Sequence, residues 1–256
     1  MEVLGYLASL LIGLSLGLIG GGGSILTVPV LTFLFGVGAT MATGYSLLIV
    51  GSTASVGAVL AAQRKEVVVK TALWFALPAL VFVYVVRKIV MPMVPQQLGP
   101  ITKDTAVLLL FGALMLVASI AMIRSRSGDE PEGHVDPVML SVRGALVGVV
   151  TGLTGAGGGF LIVPALHFFA KLPMKQAVGT SLAVIAANSL VGFLGDTALW
   201  PKYDWRLVGL VMVIAVGGMF VGTFARKRVS AGGLKKGFGY FVLAMGAWVV
   251  LSSALG

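Results

Sequence analysis

Two glycine runs carry the first chemistry this sequence suggests. Gly20 to Gly23 are followed by Ser24 and, six residues past the run, Pro29; Gly155 to Gly159, interrupted by Ala156, are followed five residues on by Pro164. Each run lies between two apolar pieces. Glycine costs a helix about 1 kcal/mol per position and proline about 3 kcal/mol, so the spacing predicts an unwound segment in each place. Unwound backbone at membrane depth must line a cavity or be buried in protein. The residues concerned are Gly21, Gly22, Gly23 and Ser24 in the first unit and Gly157, Gly158 and Gly159 in the second. Their freed N–H groups, with the positive end of the short helix that follows, suit an anion. Close helix packing is the other use of such glycines, although packing motifs space them at i and i+4. A phosphate loop does not fit, because no Lys follows either run and dinucleotide spacing is absent.

Uncharged donors come next. Thr43-Gly44-Tyr45-Ser46 and Val178-Gly179-Thr180-Ser181 open the following apolar stretches, and Thr53 and Asn188 stand seven residues beyond Ser46 and Ser181. Seven residues are two helical turns, so each pair shares a face. Ser46, Thr53, Thr180, Ser181 and Asn188 therefore join the glycines as candidate substrate-binding residues. A Ser or Thr is equally able to bond its own helix backbone, whereas a buried Asn amide needs partners. His167, at the position matching Thr32, suits either a proton relay or a bond to neighbouring backbone.

The chain has no cysteine, which excludes disulfides and thiolate metal sites. With no carboxylate expected inside a span, a metal-ion transporter is disfavoured. No nucleophile, base and orienting acid converge, so the sequence reads as a non-enzyme with no catalytic residue, metal ligand or cofactor.

The elements that must position these residues are membrane helices. The 256 residues are 58% hydrophobic and 11% charged, with a mean hydropathy of +1.04, too apolar for a water-soluble surface. Residues 3 to 35 and 138 to 170 read as interrupted units, broken or re-entrant at the glycines. Stretches 41 to 62, 71 to 86, 105 to 123, 176 to 199, 207 to 224 and 238 to 255 read as ordinary spans. About eight membrane segments result. Every charged residue falls outside or at the end of a stretch, so the interior is expected to hold no formal charge. Asp196, at the end of its stretch, is expected at the interface beside Trp200, Tyr203 and Trp205, which read as an aromatic belt. The formal charge of +9 belongs to loops meeting anionic lipid and does not point to nucleic acid. Met1-Glu2 opens without a basic leader region, so the first stretch is expected to be retained.

Sliding the chain by 135 positions aligns Gly17 to Pro29 with Gly152 to Pro164 without a gap, and 16 of the 41 positions from 17 to 57 are identical. Such duplication recurs among transporters. The boundary is the polar stretch around Asp129, Glu130 and Asp136, which divides the chain into a first transmembrane repeat (1–123), a linker (124–137) and a second repeat (138–256). An inverted pair of repeats places eleven basic loop residues on one side and five on the other, while a parallel pair splits them evenly. The positive-inside rule prefers inversion, with the linker cytoplasmic. The side taken by Lys171 and Lys175 depends on how the second glycine unit folds.

The glycine run closed by Val28-Pro29, repeated at Val163-Pro164, and the Ala-x-Gly-x-Ser-Leu stretches Ala42 to Leu47 and Ala177 to Leu182 resemble the sulfite exporter TauE/SafE family of membrane permeases. The resemblance covers both halves; the first departs from the second at Tyr45, where the second has Thr180. It implies a secondary transporter in a bacterial inner membrane that exports sulfite or a small organosulfonate such as sulfoacetate. The expected partners are a small sulfur-containing anion and the lipid bilayer, with a homo-oligomer left open. An anion channel and a non-transporting assembly partner remain the alternatives.

Overall fold

The computed structural model describes residues 2–124, 136–226 and 231–255. The polar linker falls almost wholly outside them. Ten helices follow in order: α1 Glu2–Ile19, α2 Ser24–Leu34, α3 Ala39–Gln63, α4 Val69–Met93, α5 Lys103–Arg124, α6 Pro137–Thr154, α7 Gly159–Phe168, α8 Met174–Gly195, α9 Trp205–Ala225 and α10 Ala231–Leu255. The last turn of α2 and residues Val86–Val90 of α4 are π-helical. A two-stranded ribbon, Gln97–Leu98 with Ile101–Thr102, joins α4 to α5. The protein is an all-α membrane protein. Among the described residues six helices, α3 to α6, α8 and α9, are long and apolar enough to cross a bilayer, and shorter apolar stretches occur in α1, α2, α7 and α10.

Both glycine units fold as hairpins. α1 stops at Ile19, the chain turns through Gly20 to Gly23, and α2 runs back until Phe35 packs edge-on against Tyr6, with ring centroids 5.3 Å apart. α6 stops at Thr154 with Gly155 in the left-handed conformation as its cap, and α7 runs back until the Arg143 guanidinium lies 3.4 Å above the Phe169 ring. Helical pairing needs i−4 carbonyls that a glycine run cannot hold in place, so both helices end where the sequence predicts.

Each hairpin packs on the other half of the chain. α1 lies along α9, where Gly13, Gly17, Gly218 and Gly222 admit backbone against backbone; α6 lies along α4 in the same way at Gly144 and Gly148. α3 and α8 form the central pair and run antiparallel: Gly44 meets Asp196 and Tyr203, Gly51 meets Ser189 and Leu190, Gly57 meets Leu182, and Gly179 meets Glu66. α5 and α10 pack together outside them. Two ends follow from this. One, the Asp196 end, holds the start of α3 and the end of α8. The other, the Glu66 end, holds the end of α3 and the starts of α6 and α8. Apolar side chains such as Leu73, Val213 and Phe224 face outward, as lipid requires.

Gly148→Leu places a side chain on the Ala79 carbonyl of α4 and is expected to cost about 3 kcal/mol by overpacking. Gly209→Ala meets nothing within 4 Å and is expected to stabilise α9 by up to about 1 kcal/mol. Thermal unfolding in detergent reads both.

Candidate functional site

The two glycine turns meet inside the protein. A Cβ on Gly159 would fall 2.7 Å from the Gly21 carbonyl oxygen and 2.8 Å from Ser24 Oγ, and one on Gly21 would strike the Gly159 carbonyl. Gly20 rests on Val178 and Gly155 on Thr43, so the turns lie end to end in the groove between α3 and α8. Gly20 to Ser24 and Gly155 to Gly159 are all buried. Backbone bonds bracket each turn: Gly20 N donates to Leu16 O and Gly155 N to Thr151 O before it, Leu26 N to Gly23 O and Ile162 N to Gly158 O after it. The amides of Gly21 to Gly23 and of Ala156 to Gly158 take no part in those bonds. They are donors removed from water, which a fold keeps only at a cost.

The other candidate substrate-binding residues are all buried, but they are differently employed. Ser24 Oγ donates to Gly21 O at 2.8 Å, Thr53 Oγ1 to Ile49 O at 2.7 Å and Ser181 Oγ to Val178 O at 2.8 Å, so their protons are spent on local backbone. Thr180 Oγ1 accepts from Val68 N at 2.9 Å and fastens the loop ahead of α4. Tyr45, its counterpart in the first half, accepts from Asp204 N at 2.7 Å and fastens the loop ahead of α9. The departure at Tyr45 thus preserves a tether. Ser46 Oγ and both polar atoms of Asn188 are buried without a hydrogen-bond partner. His167 Nδ1 donates to the Leu172 carbonyl at 2.9 Å, the local of its two possible uses.

Two further partnerless groups sit at the second turn. Ser189 Oγ lies 2.6 Å from where a Cβ on Gly157 would stand, and Thr151 Oγ1 presses on Gly158 in the same way. Gly155, Gly157 and Gly158 all have φ between +65° and +68°, a conformation that any side chain would strain. The corresponding positions of the first half are Ala54 and Leu16. The polar lining is therefore concentrated at the second turn. Ser189 and Thr151 are legible only in hindsight: one adjoins Asn188, and the other stands one helical turn before Gly155.

The expectation of an interior without charge is corrected. Arg87 and Asp196 form an ion pair at 3.0 Å with side chains 1% and 3% exposed. The π-helical turn at the end of α4 rolls Arg87 inward, and Nη1 also donates to Thr43 Oγ1 at 3.1 Å. Asp196 is not an interfacial residue. It lies beneath Tyr203, whose ring packs on Tyr45 at 4.7 Å, while Trp205 alone of the expected belt is half exposed. Burial, with the Asp196 carboxylate beside it, holds the Tyr203 phenol above its ordinary pKa, so it stays a neutral hydroxyl. Arg226 and Glu66 form a second pair at 3.3 Å at the opposite end of the α3–α8 groove, with side chains 21% and 18% exposed. Both arginines had read as loop charges because each follows an apolar stretch, and periodicity does not report the roll of a helix end.

The chain matches the family model described as sulfite exporter TauE/SafE over residues 5–249. It is 33% identical to a probable membrane transporter protein of Xylella fastidiosa (strain 9a5c), over 95% of this chain and 92% of that one. It is 31% identical to a probable membrane transporter protein of Methanocaldococcus jannaschii over 80% and 79%. A probable membrane transporter protein of Bacillus subtilis is 28% identical over 68% and 70%. No solved structure matches the chain.

The two ion pairs differ in what their loss should cost. Asp196→Ala strands a buried guanidinium and is expected to destabilise by about 3–5 kcal/mol; Glu66→Ala, at the more open pair, by no more than about 1 kcal/mol. Melting temperatures of the two variants in one detergent make the comparison.

Proposed function

The chain belongs to the sulfite exporter TauE/SafE family and is a membrane transporter, and from that premise we propose that it carries sulfite or a small organosulfonate such as sulfoacetate outward through the groove where its glycine turns meet. One observation carries the reading. Turn amides that join no backbone bond lie in a buried seam, with Ser189 and Thr151, which have nothing to bond, beside the second turn, and Asn188 and Ser46 are buried without a partner on the two helices that flank the turns. Buried polar groups are ordinarily paired, and an oxyanion supplies acceptors for amides and hydroxyls together. From the first half Gly21 meets Gly159 directly, while Gly22 and Gly23 continue the turn, the latter packed on Ile12 and Ser15 of α1. Ser24, Thr53, Thr180 and Ser181 shape it through their own bonds.

We read the halves as inverted copies forming eight membrane segments, the hairpins α1–α2 and α6–α7 with α3, α4, α5, α8, α9 and α10. The antiparallel run of α3 and its duplicate α8 supports this, as does the exchange by which α1 packs on α9 and α6 on α4. Of the described basic residues, Arg64, Lys65, Lys70, Arg124, Arg143, Lys171, Lys175 and Arg226 lie toward the Glu66 end. Arg87, Lys88, Lys103, Lys202 and Arg206 lie toward the Asp196 end. The positive-inside rule then makes the Glu66 end cytoplasmic, together with the linker, in a bacterial inner membrane. Rocking of one half against the other opens each end in turn. A negative cell interior drives an anion outward by about 2.3 kcal/mol per charge at 100 mV, so export needs no coupled ion.

Proteoliposomes loaded with labelled sulfite test the carrier. Saturable efflux is expected, lost in Gly157→Leu, which fills the turn, and weakened at least about tenfold in Asn188→Leu, which removes an amide from the seam. Asn188→Leu should melt no lower than wild type, because an unpaired buried amide contributes nothing to stability. Non-saturating flux would identify a channel. Absence of flux with any oxyanion would leave a non-transporting assembly partner.

A further inference from the structure

Arg87 presents a feature that the ion pair does not account for. Its Nη1 is fully engaged, by Asp196 Oδ2 at 3.0 Å and Thr43 Oγ1 at 3.1 Å. Its Nε and Nη2 have no partner, although the side chain is 1% exposed. These two nitrogens form one planar edge of the guanidinium, the edge that donates two parallel hydrogen bonds to a carboxylate, phosphate or sulfonate. A buried charged donor left unpaired costs more than a neutral one, and a fold that needed only a tether for Asp196 would be served by Nη1 alone.

The edge has a direction. Nη2 lies 2.6 Å from the place a Cβ on Gly155 would take, at the start of the second glycine turn, and the Arg87 Cβ lies equally close to that of Gly195. From Gly155 the turn continues to Gly157 beside Ser189 and then to Gly159 against Gly21. The free edge therefore stands at the Asp196 end of the row of amides assigned to the substrate. Arg226, at the other end, is bound to Glu66 in a more open setting and among its atoms none is left buried without a partner.

We infer that Arg87 is the charge-reading residue of the transport path: its Nε–Nη2 edge receives two oxygens of the passing oxyanion while Asp196 and Thr43 hold Nη1 and fix the plane of the guanidinium. The inference rests on the transporter reading and names the cationic group that reading lacked. Asp196 offsets the charge of Arg87 when the path is empty, so the site attracts an anion without holding it, as a carrier requires. A bidentate edge selects planar pairs of oxygens, which sulfite, sulfonates and carboxylates possess and halides do not.

The test separates charge reading from tethering. Arg87→Gln combined with Asp196→Asn removes both charges at once and leaves no uncompensated ion, so the double variant is expected to fold with a melting temperature near wild type. In proteoliposomes its KM for sulfite is expected to rise about 10- to 100-fold, the loss of a charge-assisted bond, and sulfite should no longer raise its melting temperature. Arg87→Lys keeps the charge and the pairing with Asp196 but has no second nitrogen on a planar edge; its KM should rise as well, with chloride competing better than in wild type. If the double variant transports sulfite with the wild-type KM, Arg87 is a structural tether and the inference is overturned while the transporter reading stands. If wild type moves no sulfur oxyanion but carries another oxyanion with the same dependence on Arg87, the inference holds and the substrate class falls. If wild type moves no anion, both fall. Should the double variant fail to fold, Arg87→Lys decides: a wild-type KM overturns the inference.

Discussion

Everything in this molecule depends on how polar backbone is kept away from lipid. Two stretches of main chain are unwound by glycine where no water is at hand, and each solves the problem by lying against the other. Gly21 and Gly159 touch through their carbonyl and Cα atoms, an approach no side chain would permit. That contact pins the tips of two hairpins in the α3–α8 groove and dictates that each hairpin be braced by the opposite half, α1 by α9 and α6 by α4. The glycines at those braces follow the same logic, since helices without a hydrophobic force between them associate by close packing.

The duplication yields two copies of one scaffold and one polar seam. The scaffold features match across the halves: hairpin, cap, loop tether, and an arginine near the end of α4 and of α9 paired with an acid just past α8 and α3. The seam does not match. Thr151, Asn188 and Ser189 stand where the first half has Leu16, Thr53 and Ala54. One ion pair is sealed and the other partly open.

Much was legible from the chain alone, for reasons that are local. Where helices stop follows from the energetic cost of glycine, and Gly20 and Gly155 mark it to the residue or nearly so. The all-helical membrane character follows from composition. Asn188 drew notice because a lone amide among apolar residues must answer for its partners, and it is indeed buried without one.

Only the tertiary structure decided which polar groups are spent and which are free. Thr53 and Ser181 turn to their own helices, and Thr180 reaches a loop of the other half. Ser46 and Ser189 keep their hydroxyls unpaired. Sequence spacing places all of these on helix faces and is silent on their bonds. It also assigned Arg87 to a loop and Asp196 to the interface, because a charge at the end of an apolar stretch has water within reach of an extended chain. The π-helical turn of α4 rolls the one inward, and the packing of Tyr203 over Gly44 covers the other. A pair separated by 109 residues is made by the crossing of helices from both halves, which no local pattern encodes.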